Sequence, residues 1–208
     1  MDNLITDLKE RGWLKTSHII EAFKKIKRQD FMTPDMKEMA NLNQPLSIGY
    51  KQTISQPLVV AFMLELLQPK KGDKVLDVGS GSGWTTALLS EIVGKTGKVI
   101  AVEVILALKE FGEANTDKYG FVKNNVAQFV YANGRDGYKA LAPYDKILCS
   151  AEAQKEIPSS WKEQLKIDGR IATPIDNSIW LFVKKFDKKF EKTEYPGFAF
   201  VPLVDKIK

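Results

Sequence analysis

Hydrophobic and polar positions along this chain follow two periods, helical at the start and strand-like later. Leu4, Ile5 and Leu8 share one helical face until Gly12 breaks the pattern. Ile19, Ile20, Phe23 and Ile26 then recur at helical spacing behind Thr16 and Ser17, both acceptable caps. Thr33-Pro34 predicts a short helix through Met39, with Met32, Met36 and Met39 as gap-fillers beneath a sheet. Residues 41–56 carry no period and include Pro45, Gly49, Thr53 and Ser55, so loop or short strand is expected there. Pro57 opens a helix that is apolar almost all round through Leu67, apart from Glu65, and should be buried.

Short apolar runs follow at 74–78, 99–102, 126–131, 144–150, 170–174, 179–186 and 198–204, and read as strands. Helical stretches separate the early ones: Leu106, Leu108 and Phe111 mark one, and Pro158 begins another through Leu165. Strands alternating with helices imply parallel pairing, with ligands beyond the carboxyl ends of the strands. The expected class is therefore α/β, a Rossmann-like, doubly wound, mostly parallel seven-stranded sheet with an N-terminal helical extension.

Candidate chemistry enters where the first strand stops. Lys74-Val75-Leu76-Asp77-Val78 runs into Gly79-Ser80-Gly81-Ser82-Gly83-Trp84, and Thr85 to Leu89 open a helix. Glycines belong in such a turn because the backbone must take positive φ and approach a ligand closely. Twenty residues after Gly83 the strand 99–102 ends in Glu103, the acidic position that accepts from ribose hydroxyls, followed by Val104. A dinucleotide fingerprint wants G-x-G-x-x-G, but here the third glycine is one residue early and Trp84 fills the last position. G-x-G-x-G after V-L-D-V instead resembles motif I of the class I S-adenosylmethionine methyltransferases. A nicotinamide enzyme and a non-catalytic Rossmann-like module stay open as alternatives.

Composition narrows this further. With 208 residues, 44% hydrophobic and 27% charged, one globular domain is expected. No run approaches eighteen apolar residues and the start lacks a basic, then apolar, leader, so a soluble cytoplasmic protein without a membrane partner is expected. The formal charge of +5 invites nucleic acid, but the lysines are scattered except for Lys184, Lys185, Lys188 and Lys189 around a hairpin, and a solvated face is the reading taken. Cys149, the one cysteine, lies in an apolar strand, so neither a disulfide nor a cysteine metal framework is expected. His18, the one histidine, is far in sequence from every motif and is given no catalytic role. No metal is expected, and a monomer is.

Pro45-Leu46-Ser47-Ile48-Gly49-Tyr50-Lys51-Gln52-Thr53-Ile54-Ser55-Gln56-Pro57 resembles the signature loop of the protein-L-isoaspartate O-methyltransferases, with T-I-S ahead of the cradle strand. Gly134-Arg135-Asp136-Gly137-Tyr138 with Ala142-Pro143-Tyr144-Asp145 is similar to that family's segment after the third strand. Ile157-Pro158, Gln164-Leu165-Lys166, Gly169-Arg170 and Phe200-Val201-Pro202-Leu203 resemble its later segments, and the similarity covers most of the chain from Phe31 onward. The resemblance implies methyl transfer from S-adenosyl-L-methionine, leaving S-adenosyl-L-homocysteine, to the α-carboxylate of L-isoaspartyl residues in damaged proteins or peptides. The ester then recyclises to a succinimide and lets the normal linkage reform. A carboxylate of pKa about 4 is ionised at pH 7, so its attack needs no general base. By the same resemblance residues 1–56 supply N-terminal helices and a substrate loop, and residues 57–208 the cofactor-binding core. The resemblance also implies that Ser55 is the active-site serine, with Thr53 and Ile54 beside it at the substrate. Gly79, Ser80, Gly81, Ser82, Gly83, Glu103, Val104, Asn133 and Gly134 line the cofactor.

Three departures stand out. Asn133 replaces the family's acidic residue for the adenine amino group, Lys51 replaces a glycine, and the small A-A-A-P becomes Ala151-Glu152-Ala153-Gln154. The expectation is that Lys51 and Glu152 face each other across the substrate site and offset one another, or that the substrate has changed. Ser55 has a structural alternative as cap of the Pro57 helix. A nucleic-acid methyltransferase and a non-catalytic homologue are the remaining alternatives.

Overall fold

The computed structural model describes residues 2–153, 155–186 and 189–205; Gln154 and Lys188 of the sequence reading lie outside them. The apolar stripes become α1 (Asp2–Glu10) and α2 (Ser17–Lys25). Thr16 precedes α2 without capping it through its own side chain. The Glu65 carboxylate instead anchors the chain just ahead of the helix, accepting from Lys15 N and Thr16 N at 2.7 Å each and from the Thr16 hydroxyl at 2.6 Å. This explains the single charge on an otherwise apolar helix, α3 (Pro57–Leu67), since anionic groups are stabilised at helix N-termini. Residues 34–39 wind as a 3-10 helix.

The unpatterned stretch 41–56 folds into a small antiparallel hairpin, β1 (Leu46–Gly49) with β2 (Gln52–Ile54), separate from the main sheet. The main sheet comprises β3 (Lys74–Val78), β4 (Lys98–Glu103), β5 (Ala127–Tyr131), β6 (Tyr144–Cys149), β7 (Leu165–Ile175), β8 (Ser178–Lys184) and β9 (Phe190–Pro196) in the order β5-β4-β3-β6-β7-β8-β9. Pairing is parallel from β5 across to β7 and antiparallel from β7 to β9. Helices α4 (Trp84–Val93), α5 (Leu106–Asp117) and α6 (Ser159–Gln164) complete the α/β alternation.

Strand periodicity sorts the core into two layers. Val75 and Val99 join the N-terminal helices, α3 and α4 on one face, while Leu76, Val78, Ile100 and Val102 join Trp161 and Leu203 on the other. Because β4 and β6 leave β3 on opposite sides, a crevice opens at the carboxyl end of β3, the place where such sheets bind ligands.

The last strand differs from expectation. Residues 198–204 form no strand; only Pro202 bridges Glu152. The seventh strand is β9, whose Glu191, Lys192 and Glu194 are exposed. An edge strand with both faces near water shows no apolar alternation, and its charges guard against edge-to-edge pairing.

Candidate active site

A cleft lies over the carboxyl ends of β3 and β4. Its floor is the glycine turn, in which Gly79, Gly81 and Gly83 take φ of 71°, 50° and 85°. The turn is fastened to β4, with Gly79 N donating to Val102 O at 2.9 Å. It is also gripped by α5: Asn115 Nδ2 donates to Ser82 O at 3.2 Å and the Thr116 hydroxyl to Gly83 O at 3.3 Å. A Cβ on Gly83 would stand 2.5 Å from Gly112 O, and one on Gly112 would stand 2.6 Å from Gly81 O. The third glycine therefore serves close packing between loop and helix, with α5 rather than with the sheet.

Glu103 closes the floor. Its Oε2 accepts from Gly81 N at 2.9 Å, and Oε1 from Val104 N at 2.8 Å and Ile105 N at 3.0 Å. A carboxylate has about four lone-pair sites, so a place for a ligand hydroxyl remains.

Behind this floor Asp77 is fully buried, its Oδ2 accepting from the Thr85 hydroxyl at 2.9 Å and the Thr86 hydroxyl at 2.6 Å. Burial pushes its carboxyl up to about 6 against the pull of the two threonine hydroxyls, and the Glu103 charge adds to the rise. The folded value thus lies above the ordinary 3.8, so the folded protein pays for an ionised Asp77 above pH 6 and ceases to pay as pH falls toward 4. Asp77→Asn should remove this dependence. The expected result is that the urea midpoint of the parent relative to Asp77→Asn shifts in the parent's favour from pH 7 to pH 5; a shift the other way contradicts the assignment.

The hairpin forms the opposite wall with Ile48, Gln52, Thr53 and Ile54, continued by Ser55. Ser55 is not the cap of α3. Gln56 holds the N-cap position without a side-chain bond, and Leu58 N donates to Asn43 Oδ1 at 3.0 Å. Val104 and Gly134 also line the cleft, and residues 201–204 roof it. The roof is held by Glu152 N donating to Val201 O at 2.8 Å and Leu203 N donating to Glu152 O at 2.9 Å.

Three sequence-selected residues sit elsewhere. Lys51 occupies the exposed hairpin turn at φ 57°, and Glu152 borders a neighbouring depression with Arg135 and Asp176, its Oε1 accepting from Asn177 N at 3.4 Å. Neither lines the cleft, and among the described residues no ion pair joins them. The expectation that they face each other across the site is corrected: Lys51 is at a turn apex, and the Glu152 backbone is spent on the roof. Asn133 caps the turn Gly134–Asp136, accepting from Arg135 N at 3.0 Å, and does not line the cleft.

Cys149 is buried and its thiol is pushed up to about 12 by that burial. His18 bonds Pro69 O at 3.0 Å, away from the cleft lining. Among the described residues no cluster of three or more His, Cys, Asp or Glu is placed to hold a metal. Sequence reasoning missed Gly112, Asn115, Thr116, Asn43 and Arg28. Only Gly112 carried a signal, as a glycine inside a helix.

The family model described as protein-L-isoaspartate(D-aspartate) O-methyltransferase matches residues 1–208. The chain belongs to this methyltransferase family. Among its relatives, the protein-L-isoaspartate O-methyltransferase of Methanopyrus kandleri is 38% identical over 207 residues, 98% of this chain and 90% of that one. Protein-L-isoaspartate O-methyltransferase 2 of Archaeoglobus fulgidus is 42% identical over 188 residues, 89% of this chain and 84% of that one. In fold, the methyltransferase matches a putative protein-L-isoaspartate O-methyltransferase from Plasmodium falciparum, solved with S-adenosyl-L-homocysteine, with a TM-score of 0.87, 24% identity, and coverage of 98% and 97% of the two chains.

Proposed function

We propose that this methyltransferase methylates the α-carboxylate of L-isoaspartyl residues in damaged proteins or peptides, using S-adenosyl-L-methionine and releasing S-adenosyl-L-homocysteine. The observation that carries the reading is that the T-I-S wall and the glycine cradle line one cleft from opposite sides. The cradle fits such a cofactor. It offers a turn of three glycines at positive φ, an acidic strand tip, and a buried Ser80 hydroxyl with no hydrogen-bond partner in the protein, a group that buried sites rarely leave unsatisfied.

Bound there, the cofactor supplies a sulfonium methyl. The chain's own work is then binding and orientation. Gly79 to Gly83 leave room for close approach of the backbone, and Glu103 accepts from ribose hydroxyls while holding Gly81, Val104 and Ile105 in place. Val104 and Gly134, which line the same cleft, would help hold the cofactor. Thr53, Ile54 and Ser55 position the acceptor carboxylate, with the Ser55 hydroxyl as a hydrogen-bond donor and not a covalent nucleophile. Because the carboxylate arrives ionised, no residue need take a proton, and holding it in line is worth about 7–11 kcal/mol. The chain acts as one unit, residues 1–56 bringing the substrate wall and 57–208 the cofactor core. The enzyme is read as a cytoplasmic monomer acting on protein rather than nucleic acid; separately, among the described residues no helix is long and apolar enough to cross a membrane.

The test is incubation with methyl-labelled S-adenosylmethionine and an isoaspartyl peptide beside its normal aspartyl counterpart. Label is expected in the first alone, and equal or absent labelling overturns the reading. Ser55→Ala is expected to lower kcat at least tenfold while S-adenosylhomocysteine binds within threefold of the parent. Equal loss of both would make Ser55 part of the scaffold.

A further inference from the structure

Arg28 is a charged residue in the wrong place for an ordinary surface cation. It is completely buried, yet among the described residues no carboxylate pairs with it. Its two terminal nitrogens turn to backbone carbonyls instead: Nη1 donates to Ala40 O at 3.2 Å and Leu42 O at 2.9 Å, and Nη2 to Gln44 O at 2.8 Å, Ser55 O at 3.1 Å and, at a longer 3.5 Å, Ile54 O, while the buried Nε has no hydrogen-bond partner in the protein. Its underside lies 5.5 Å from the centre of the Trp84 ring. Trp84 is the first residue after the glycine cradle, itself buried and lining the cleft, and Phe23 of α2 packs edge-on against it at 5.7 Å.

We propose that Arg28 is a positioning residue for methyl transfer, pinning the Ile54–Ser55 segment to the cofactor cradle through Trp84. This rests on the reading of the cleft given above. Burying an uncompensated charge is costly, and a cap serving only the chain at 40–44 would need just three of these carbonyls. The remaining two belong to the residues that hold the acceptor, and the cationic face rests on the residue that ends the cradle. One rigid planar group therefore sets the distance between the two walls of the cleft. The fork geometry makes the role specific to arginine, because lysine offers three donors from a single point and no stacking plane. Burial brings the guanidinium down only to about 10, so it stays charged at neutral pH.

Arg28→Lys tests the assignment. The expected result has three parts: kcat on an isoaspartyl peptide falls at least tenfold, S-adenosylhomocysteine Kd stays within threefold, and amide hydrogen exchange over residues 46–55 speeds up at least tenfold. Gly197→Ala is the control, since at φ 95° with nothing within 4 Å of the new Cβ it strains the backbone without touching Arg28 or the cleft lining; its melting temperature should fall while kcat holds. The proposal is overturned if Arg28→Lys keeps kcat within threefold, if cofactor affinity falls as far as kcat, or if Gly197→Ala reproduces the loss. Should Arg28→Lys fail to fold, Trp84→Phe carries the test: faster exchange over 46–55 with lower kcat supports the coupling, and no change in either overturns it. Failure of the parent to label isoaspartyl peptide would instead strike the functional reading, and the exchange experiment separates the two.

Discussion

Gly83→Ala is expected to destabilise the protein by about 3 kcal/mol, lowering Tm by roughly 6–12 °C, and to abolish measurable S-adenosylhomocysteine binding. Two separable costs lead to this. At φ 85° an L side chain is strained by about 1–2 kcal/mol whatever the space around it. The new methyl would also stand 2.5 Å from Gly112 O and 2.6 Å from the Thr116 hydroxyl, and the first of these is backbone that can yield only by moving α5. Moving α5 loosens the bonds from Asn115 and Thr116 that hold the glycine turn, so the loss of affinity follows from the same displacement. Gly197→Ala isolates the strain. It has φ 95° and nothing within 4 Å of the new Cβ, so only the backbone cost of about 1–2 kcal/mol is expected there. Equal destabilisation by the two variants, with binding retained in Gly83→Ala, would show that α5 does not depend on this contact.

The contrast between these glycines also shows what sequence can and cannot reveal. The strand-turn-helix around Gly79 to Gly83 was legible because a run of apolar residues, three glycines and a helix start are all local signals, and Glu103 was legible because its distance from the turn is fixed by one helix and one strand. The grip of α5 on that turn was not, since it joins residues about thirty apart whose partners no pattern announces. Arg28 was invisible for a different reason: a lone arginine among polar residues reads as solvated, and only the fold reveals five carbonyls converging on it. Lys51 and Glu152 were found as departures from the family pattern, but a departure carries no direction. The direction came from a left-handed turn in one case and from the backbone pairing with residues 201–203 in the other. The edge strand β9 was missed because its mostly exposed faces erase the alternation that betrays inner strands.

Glu103→Gln is expected to weaken S-adenosylhomocysteine binding on the order of 100-fold, as measured by calorimetry, a cost of about 2.7 kcal/mol. Three backbone N–H groups, from Gly81, Val104 and Ile105, converge on this carboxylate, and both oxygens are used. Glutamine offers one carbonyl oxygen and one NH2 group, so whichever way the amide turns, at least one of these donors meets another donor. A lost bond to a charged acceptor costs about 1.5–3 kcal/mol. Either orientation injures the site: with NH2 toward Gly81 the cradle is pushed open, and with NH2 toward Val104 and Ile105 the chain leaving β4 is displaced. The substitution has a second consequence that a merely local disturbance would not produce. The Glu103 charge contributes to the raised carboxyl of Asp77, so neutralising it should move the Asp77 midpoint below about 6 and shrink the stability gained between pH 7 and pH 5. Binding within threefold of the parent would remove Glu103 from the cofactor site. A pH response left unchanged while binding collapses would leave it there but deny its electrostatic hold on the floor of the cleft.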